Sequence, residues 1–151
     1  MIRDKFKLPP NCLQSMPDFI EYIRRDKDIT AVFVFGSAAK GNLKPLSDLD
    51  LAVLLSDKLS KEDRKQKELD LTGTCNAIFQ TDEIDLIILN DAPPRIAHHI
   101  LKSGELLFLR NEMEYLDFSE RIQRQYLDFK YYRNNFDQAF LEGIGYLGRT
   151  H

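Results

Sequence analysis

The sequence has little cysteine, no excess of basic charge, no long apolar run and no repeats, and each shortage closes off a class of function. Cys12 and Cys75 stand 63 positions apart with no C-x-x-C spacing. Neither a disulfide framework nor a zinc site is expected, and both thiols read as buried or neutral. With 21 basic against 24 acidic side chains and a net charge of −3, no positive field makes nucleic acid a default partner. The apolar runs, such as residues 84–89, are strand-length and far short of a membrane span. The opening MIRDKFKLPPN lacks the apolar stretch of a signal peptide, so a soluble, cytoplasmic protein is expected. No repeat or low-complexity tract points to a solenoid or a disordered linker.

What is present is an ordinary globular balance. Hydrophobic residues are 43% and charged residues 30%, enough apolar surface for a chain of 151 residues to fold without staples. That length fits a single domain, 1–151, with no room for a separate acceptor-binding domain. Within it the reading is an N-terminal arm (1–14), a catalytic core (15–110), a C-terminal helix (111–142) and a glycine-bearing tail (143–151). Pro9 and Pro10 argue against an early helix, whereas Ser15 followed by Pro17 offers a start, with Phe19, Ile20 and Ile23 at helical spacing. Residues 31–35 form an unbroken β-branched and aromatic run, read as a central strand. Residues 49–55 and 83–89 read as further strands and 106–109 as a short fourth. Ser60 with Asp63 three positions on caps a long helix toward Phe79. A helix from Pro94 through Lys102 ends at Gly104, and residues 112–141 form one long helix. The order α-β-β-α-β-α-β-α gives an α/β (α+β) fold, a small mixed sheet flanked by helices.

The strongest local signal is Gly36-Ser37, ten intervening residues, then Asp48-Leu49-Asp50. Glycine at a strand end permits a turn and a close backbone approach to ligand. Ser37 adds a hydroxyl and backbone N–H groups suited to an anion. Asp48 and Asp50, two apart on a strand, send both carboxylates to one face, while Leu49, Leu51, Val53 and Leu55 take the other. Paired carboxylates repel unless a cation lies between them, and hard oxygen donors suit Mg²⁺ that shares substrate phosphates. Glu83 and Asp85 share one face of the next strand, opposite Ile84, Leu86 and Ile88. If the two strands are neighbours, Asp85 reaches the same cluster, as a two-metal phosphoryl or nucleotidyl transfer requires.

These residues resemble the nucleotidyltransferase superfamily with a DNA-polymerase-β-like palm, whose hallmark of Gly-Ser, Asp-x-Asp and a later strand aspartate is met by Gly36, Ser37, Asp48, Asp50 and Asp85. The text VFVFGSAAKGNLKPLSDLDLAVLL is most similar to the minimal nucleotidyltransferases (MNT) that act as antitoxins of HEPN ribonuclease toxins. The resemblance covers residues 15–140 and implies transfer of AMP from ATP to a tyrosine of a HEPN partner, in a hetero-oligomer with that toxin. It also implies that Asp48 and Asp50 bind two Mg²⁺ ions, and that Asp85 holds the catalytic metal and orients or deprotonates the tyrosine. Gly36 and Ser37 would hold the β- and γ-phosphates, and Lys40 stands where the family carries a phosphate-binding base. Leu49 replaces the more frequent isoleucine and keeps the position apolar.

Other features are weaker. Adjacent His98 and His99 point to different helix faces and cannot chelate one ion, so a packing or surface role is expected. Residues 57–70 carry five acids and five bases, read as a solvated helix face. Tyr115, Phe118, Ile122, Tyr126, Phe129, Phe136 and Phe140 form a stripe along the last helix, either packed on the sheet or, in its distal half, open to a partner protein. Two other functions fit a chain of this kind. A nucleotidyltransferase can act on a small molecule such as an aminoglycoside, although such enzymes bring an additional helical domain. A non-catalytic module can neutralise a partner by covering it, although such a binder has no use for three clustered acids.

Overall fold

The computed structural model describes the backbone of residues 10–35, 49–81 and 83–143, and side chains between 14 and 128 within those segments. Helix α1 spans Pro10–Arg25, β1 Ile29–Phe35, β2 Leu49–Leu55 and α2 Lys61–Phe79. Strand β3 follows at Ile84–Ile88, then a 3₁₀ turn at Leu89–Asp91, α3 at Pro94–Ser103, β4 at Glu105–Leu109 and α4 at Glu112–Gly143. Among the described residues the element order is the one the sequence pattern predicts. The strands form one mixed sheet in the order β3-β2-β1-β4, with β1 antiparallel to both its neighbours and β2 parallel to β3. A right-handed crossover through α2 is the usual way to join such a parallel pair.

Helices cover both faces of the sheet. On one face, Met16, Phe19 and Ile23 of α1 and Leu71, Cys75 and Phe79 of α2 pack against Val32, Val34, Leu49, Leu51, Val53 and Leu55. The Phe19 and Phe79 rings meet at 5.3 Å between centroids. On the other, Ala97 and Ile100 of α3 and Phe118 and Ile122 of α4 pack against Ala31, Phe33, Ala52 and Leu54. Strands β1 and β2 are therefore buried on both sides, which is why they read as continuous apolar runs and not as alternating ones.

Three details depart from the sequence reading. Helix α1 starts at Pro10, not after Ser15, so the arm loses residues 10–14 to the helix. Proline is well tolerated in a first turn, where its missing N–H would have no partner, and the buried stripe Met16, Phe19, Ile23 carries the helix past Pro17. Glu83 falls outside β3, which begins one residue later. The charged run is more than a solvated face. Arg64 grips Asp91 through two hydrogen bonds of 2.7 and 3.0 Å, and Lys67 reaches Asp26 at 2.9 Å and Asp28 at 3.2 Å, tying α2 to the β3–α3 connection and to the α1–β1 turn.

Other elements end as their residues dictate. The Ser60 hydroxyl accepts from Asp63 N–H at 3.1 Å, capping α2, and Gln80 closes that helix in a left-handed conformation with φ of 55°. Asn90 donates to and accepts from the backbone of Leu55, extending the end of β2 by a side-chain bridge. Arg110, just after β4, donates to the carbonyls of Ile23, Arg24, Asp26 and Ile29, satisfying the C-terminal end of α1 that no residue of the helix can reach. His98 stacks flat on Tyr126, 3.9 Å between ring centroids and 2° between planes, which is the packing role expected of it and joins α3 to α4. In the proximal part of the aromatic stripe, Phe118 and Ile122 are buried, with Tyr115 packed beside them. The distal side chains, Phe129 onward, lie outside the described residues.

Candidate active site

The site is built at one end of the central strands. Asp50 is the second residue of β2 and Asp85 the second of β3, and the parallel register sets them directly opposite each other. Adjacent strands lie about 4.8 Å apart, and residues in register share a face. That face is the one bearing Ala52 and Leu54 on β2 and Ile87 on β3, the side covered further along by α3 and α4. Asp50 is half-buried and Asp85 is exposed. On its other side, Asp50 is the Cα partner of Phe35, the last residue of β1. Thus β1, which precedes Gly36-Ser37 in the sequence, ends beside Asp50.

Why the carboxylates stand here follows from the pattern of each strand. Leu49, Leu51 and Val53 face the α1–α2 core, as do Ile84, Leu86 and Ile88, and period two forces Asp50 and Asp85 to the opposite face. Both acids sit where their strands begin, and Asp85 is open to solvent. The condition attached to Asp85, that its strand be the neighbour of the second, is met. Asp48, Gly36, Ser37 and Lys40 lie outside the described residues. Among the described residues no group of three or more metal-ligating side chains converges. Asp50 and Asp85 supply two, and their chemistry fits a hard divalent cation: carboxylate oxygens only, with no thiolate or imidazole beside them in the register.

Two contributions escape a reading of the sequence alone. Phe35, taken there as one more apolar residue of the run, flanks Asp50 and packs into the α3–α4 core. Gly104, expected as a helix cap, does cap α3, its N–H donating to Ile100 O at 2.7 Å, but with φ of −76° it needs no left-handed conformation. Its lack of a side chain serves close approach instead. A Cβ there would lie 2.7 Å from Ile100 O and 3.2 Å from Val34 O, one residue from Phe35.

The family model described as "Polymerase beta, Nucleotidyltransferase" matches residues 18–113, more than half of the chain, and spans β1, β2 and β3 with both acids. The chain belongs to this nucleotidyltransferase family. The sequence is 31% identical over 94 residues to the protein adenylyltransferase MntA of Aphanizomenon flos-aquae (strain 2012/KM1/D3). That match takes in 59% of this chain and 63% of the relative, so the chain spans less than two thirds of that relative's length. The fold is similar to a chain from a toxin–antitoxin crystal structure with AMP-PNP, with a TM-score of 0.61, 18% identity, and coverage of 87% of this chain and 96% of that one. It is also similar to a chain from the structure of tri-AMPylated Shewanella oneidensis HEPN toxin in complex with MNT antitoxin, at a TM-score of 0.61, 18% identity and coverage of 85% and 98%. At such identities the likeness is one of fold, and together with the family model it bears out the polymerase-β-like architecture that the resemblance implied. No helix among the described residues is long and apolar enough to cross a membrane.

Proposed function

We propose that this chain is a Mg²⁺-dependent protein adenylyltransferase that transfers AMP from ATP to a tyrosine of a cognate HEPN toxin and so acts as its antitoxin. The observation that carries the proposal is the in-register pairing of Asp50 with Asp85 on adjacent parallel strands. The likeness to MntA, named as a protein adenylyltransferase, supports the choice of nucleotide and acceptor. So does the fold shared with chains from an AMP-PNP complex and from a complex with an AMPylated HEPN toxin.

In this reading Asp48 and Asp50 hold two Mg²⁺ ions and Asp85 shares one of them. When bound, these ions supply neutralisation of the triphosphate charge. Gly36 and Ser37 present backbone N–H groups and a hydroxyl to the β- and γ-phosphates, and Lys40 adds a cation there. Asp85, exposed beside Asp50, orients the tyrosine hydroxyl and takes its proton. The phenolic oxygen forms its bond to the α-phosphorus while the bond from that phosphorus to the bridging oxygen breaks, and pyrophosphate leaves with the electron pair. The likeness to a protein adenylyltransferase and to chains from toxin–antitoxin complexes favours a protein acceptor over a small molecule and a hetero-oligomer with the toxin as the working form. A reaction that consumes ATP fits a cytoplasmic protein.

The test is growth of cells expressing the HEPN toxin together with either the wild-type chain or the Asp48→Ala, Asp50→Ala double variant. Rescue by the wild type alone is expected. Full neutralisation by the double variant would mean that binding suffices and would remove the catalytic reading. Turnover of labelled ATP onto an aminoglycoside without the partner would replace it with a small-molecule activity.

A further inference from the structure

Strand β3, which carries Asp85, is an edge strand: among the described residues it pairs only with β2, and its outer backbone edge has no strand beside it. Immediately along this edge lies a groove of about 300 Å³ between α2 and α3. Leu86, Ile87, Ile88, Ala92, Pro93 and Ile96 form its apolar lining. Its rim is polar, with Lys65 and Glu68 of α2 and with Asp91, which Arg64 holds in place. Ile96, on the first turns of α3, is 40% exposed, large for an aliphatic side chain.

We infer that this edge and groove receive an extended segment of the protein substrate, which pairs with β3 as an added strand and seats an aliphatic side chain in the groove. The inference rests on the adenylyltransferase reading and names how its acceptor is held. Three observations select this occupant. An open strand edge is a row of backbone donors and acceptors whose natural complement is another extended chain. The groove beside it is lined by aliphatic carbon with a polar rim, the setting for one apolar anchor and not for a charged ligand. Most directly, the edge is continuous with the catalytic carboxylates. Asp85 and Leu86 are consecutive on β3, so a segment paired along Leu86 to Ile88 runs directly to the acid that must meet the acceptor hydroxyl. A strand rises about 3.3 Å per residue, so the groove anchor and the acceptor tyrosine would fall within a few residues of each other in the substrate.

Backbone pairing would supply affinity without regard to side chains, and the groove would supply choice among tyrosines.

The test uses the full chain and its cognate HEPN protein, without ATP, so that binding is read apart from chemistry. Amide hydrogen exchange of residues 84–88 should slow on adding the partner. Ile96→Glu, at an exposed helical position that should not disturb folding, should weaken binding at least tenfold, and Ile96→Leu should restore it. Partner binding with unchanged exchange in β3 and unchanged affinity for Ile96→Glu would overturn the inference, as would the absence of binding. So would self-association of the wild-type chain that Ile96→Glu abolishes, which would make a second copy the occupant. If β3 is protected and Ile96→Glu binds weakly, yet ATP leaves the partner unmodified, the docking stands and the adenylyltransferase reading fails.

Discussion

Gly104→Ala tests how tightly the helix-covered face is tied to the strand that leads into the site. Backbone conformation alone predicts a gain. With φ of −76°, alanine fits without strain, and removing glycine from the unfolded ensemble would stabilise by about 0.4–1 kcal/mol. The surroundings predict the opposite sign. The new Cβ would sit 2.7 Å from Ile100 O and 3.2 Å from Val34 O, and both are backbone atoms with no flexible end to swing aside. Ordinary contact needs about 3.5 Å, so α3 and β1 must separate by several tenths of an ångström. That movement lengthens the Gly104 N–H bond to Ile100 O, now 2.7 Å, which closes α3. Overpacking of this kind costs about 1–3 kcal/mol, and the lost cap bond adds about 1. The net expectation is destabilisation of about 2–3 kcal/mol, or about 5–10 °C in Tm for a domain of this size. Urea and thermal unfolding followed by circular dichroism measure it. Nucleotidyl transfer should fall as well, because Val34 precedes Phe35 and Phe35 is paired with Asp50. An unchanged or raised Tm would refute the reasoning, since it would mean the backbone has room that the contacts deny.

Other expectations concern single groups. Asp50→Asn and Asp85→Asn should each lower nucleotidyl transfer by at least about a hundredfold in single-turnover assays, and Asp85→Asn, at an exposed position, should leave Tm within about 2 °C. Arg64→Ala should cost about 1 kcal/mol at neutral pH. Its hydrogen bonds hold the Asp91 carboxyl below the usual carboxylate range, so this contribution is present above pH 4 and is lost as the pH falls through the lowered value; urea titrations at pH 7 and pH 3 should show the difference shrinking. Burial pushes the Cys75 thiol up to about 12, so in a Cys12→Ser background a thiol reagent at pH 8 should label the chain only after urea is added. A double-mutant cycle on His98 and Tyr126 should return a coupling of about 0.5–1.5 kcal/mol for their stacked rings, read by chemical denaturation.

Much of the fold could be read from local pattern because the pattern here is unambiguous. The doubly buried β1 and β2 announce themselves as apolar runs, and Ser60 with Asp63 marks the start of α2 as clearly in the sequence as in the structure. The placement of Asp85 could be stated only conditionally, since strand order is a property of tertiary pairing and no residue near 85 encodes its neighbour. Where local preference and packing disagreed, packing decided. Pro9 and Pro10 argue against an early helix and Ser15 with Pro17 for a later start, yet the buried Met16, Phe19 and Ile23 belong to a helix that begins at Pro10. Charge pattern was the least informative signal. Lys67 and Arg64 look like any solvated residues until the fold brings Asp26, Asp28 and Asp91 to them across long separations. Gly104 carries the same lesson: a cap was predictable, but the approach of Val34 O was not.

The most direct measurement of the central claim is the intact mass of the HEPN protein after incubation with this chain, ATP and Mg²⁺. Wild-type chain should add whole AMP units to a tyrosine of the partner and abolish its ribonuclease activity, and the Asp50→Asn and Asp85→Asn variants should add none. A partner of unchanged mass that remains an active ribonuclease would contradict the account.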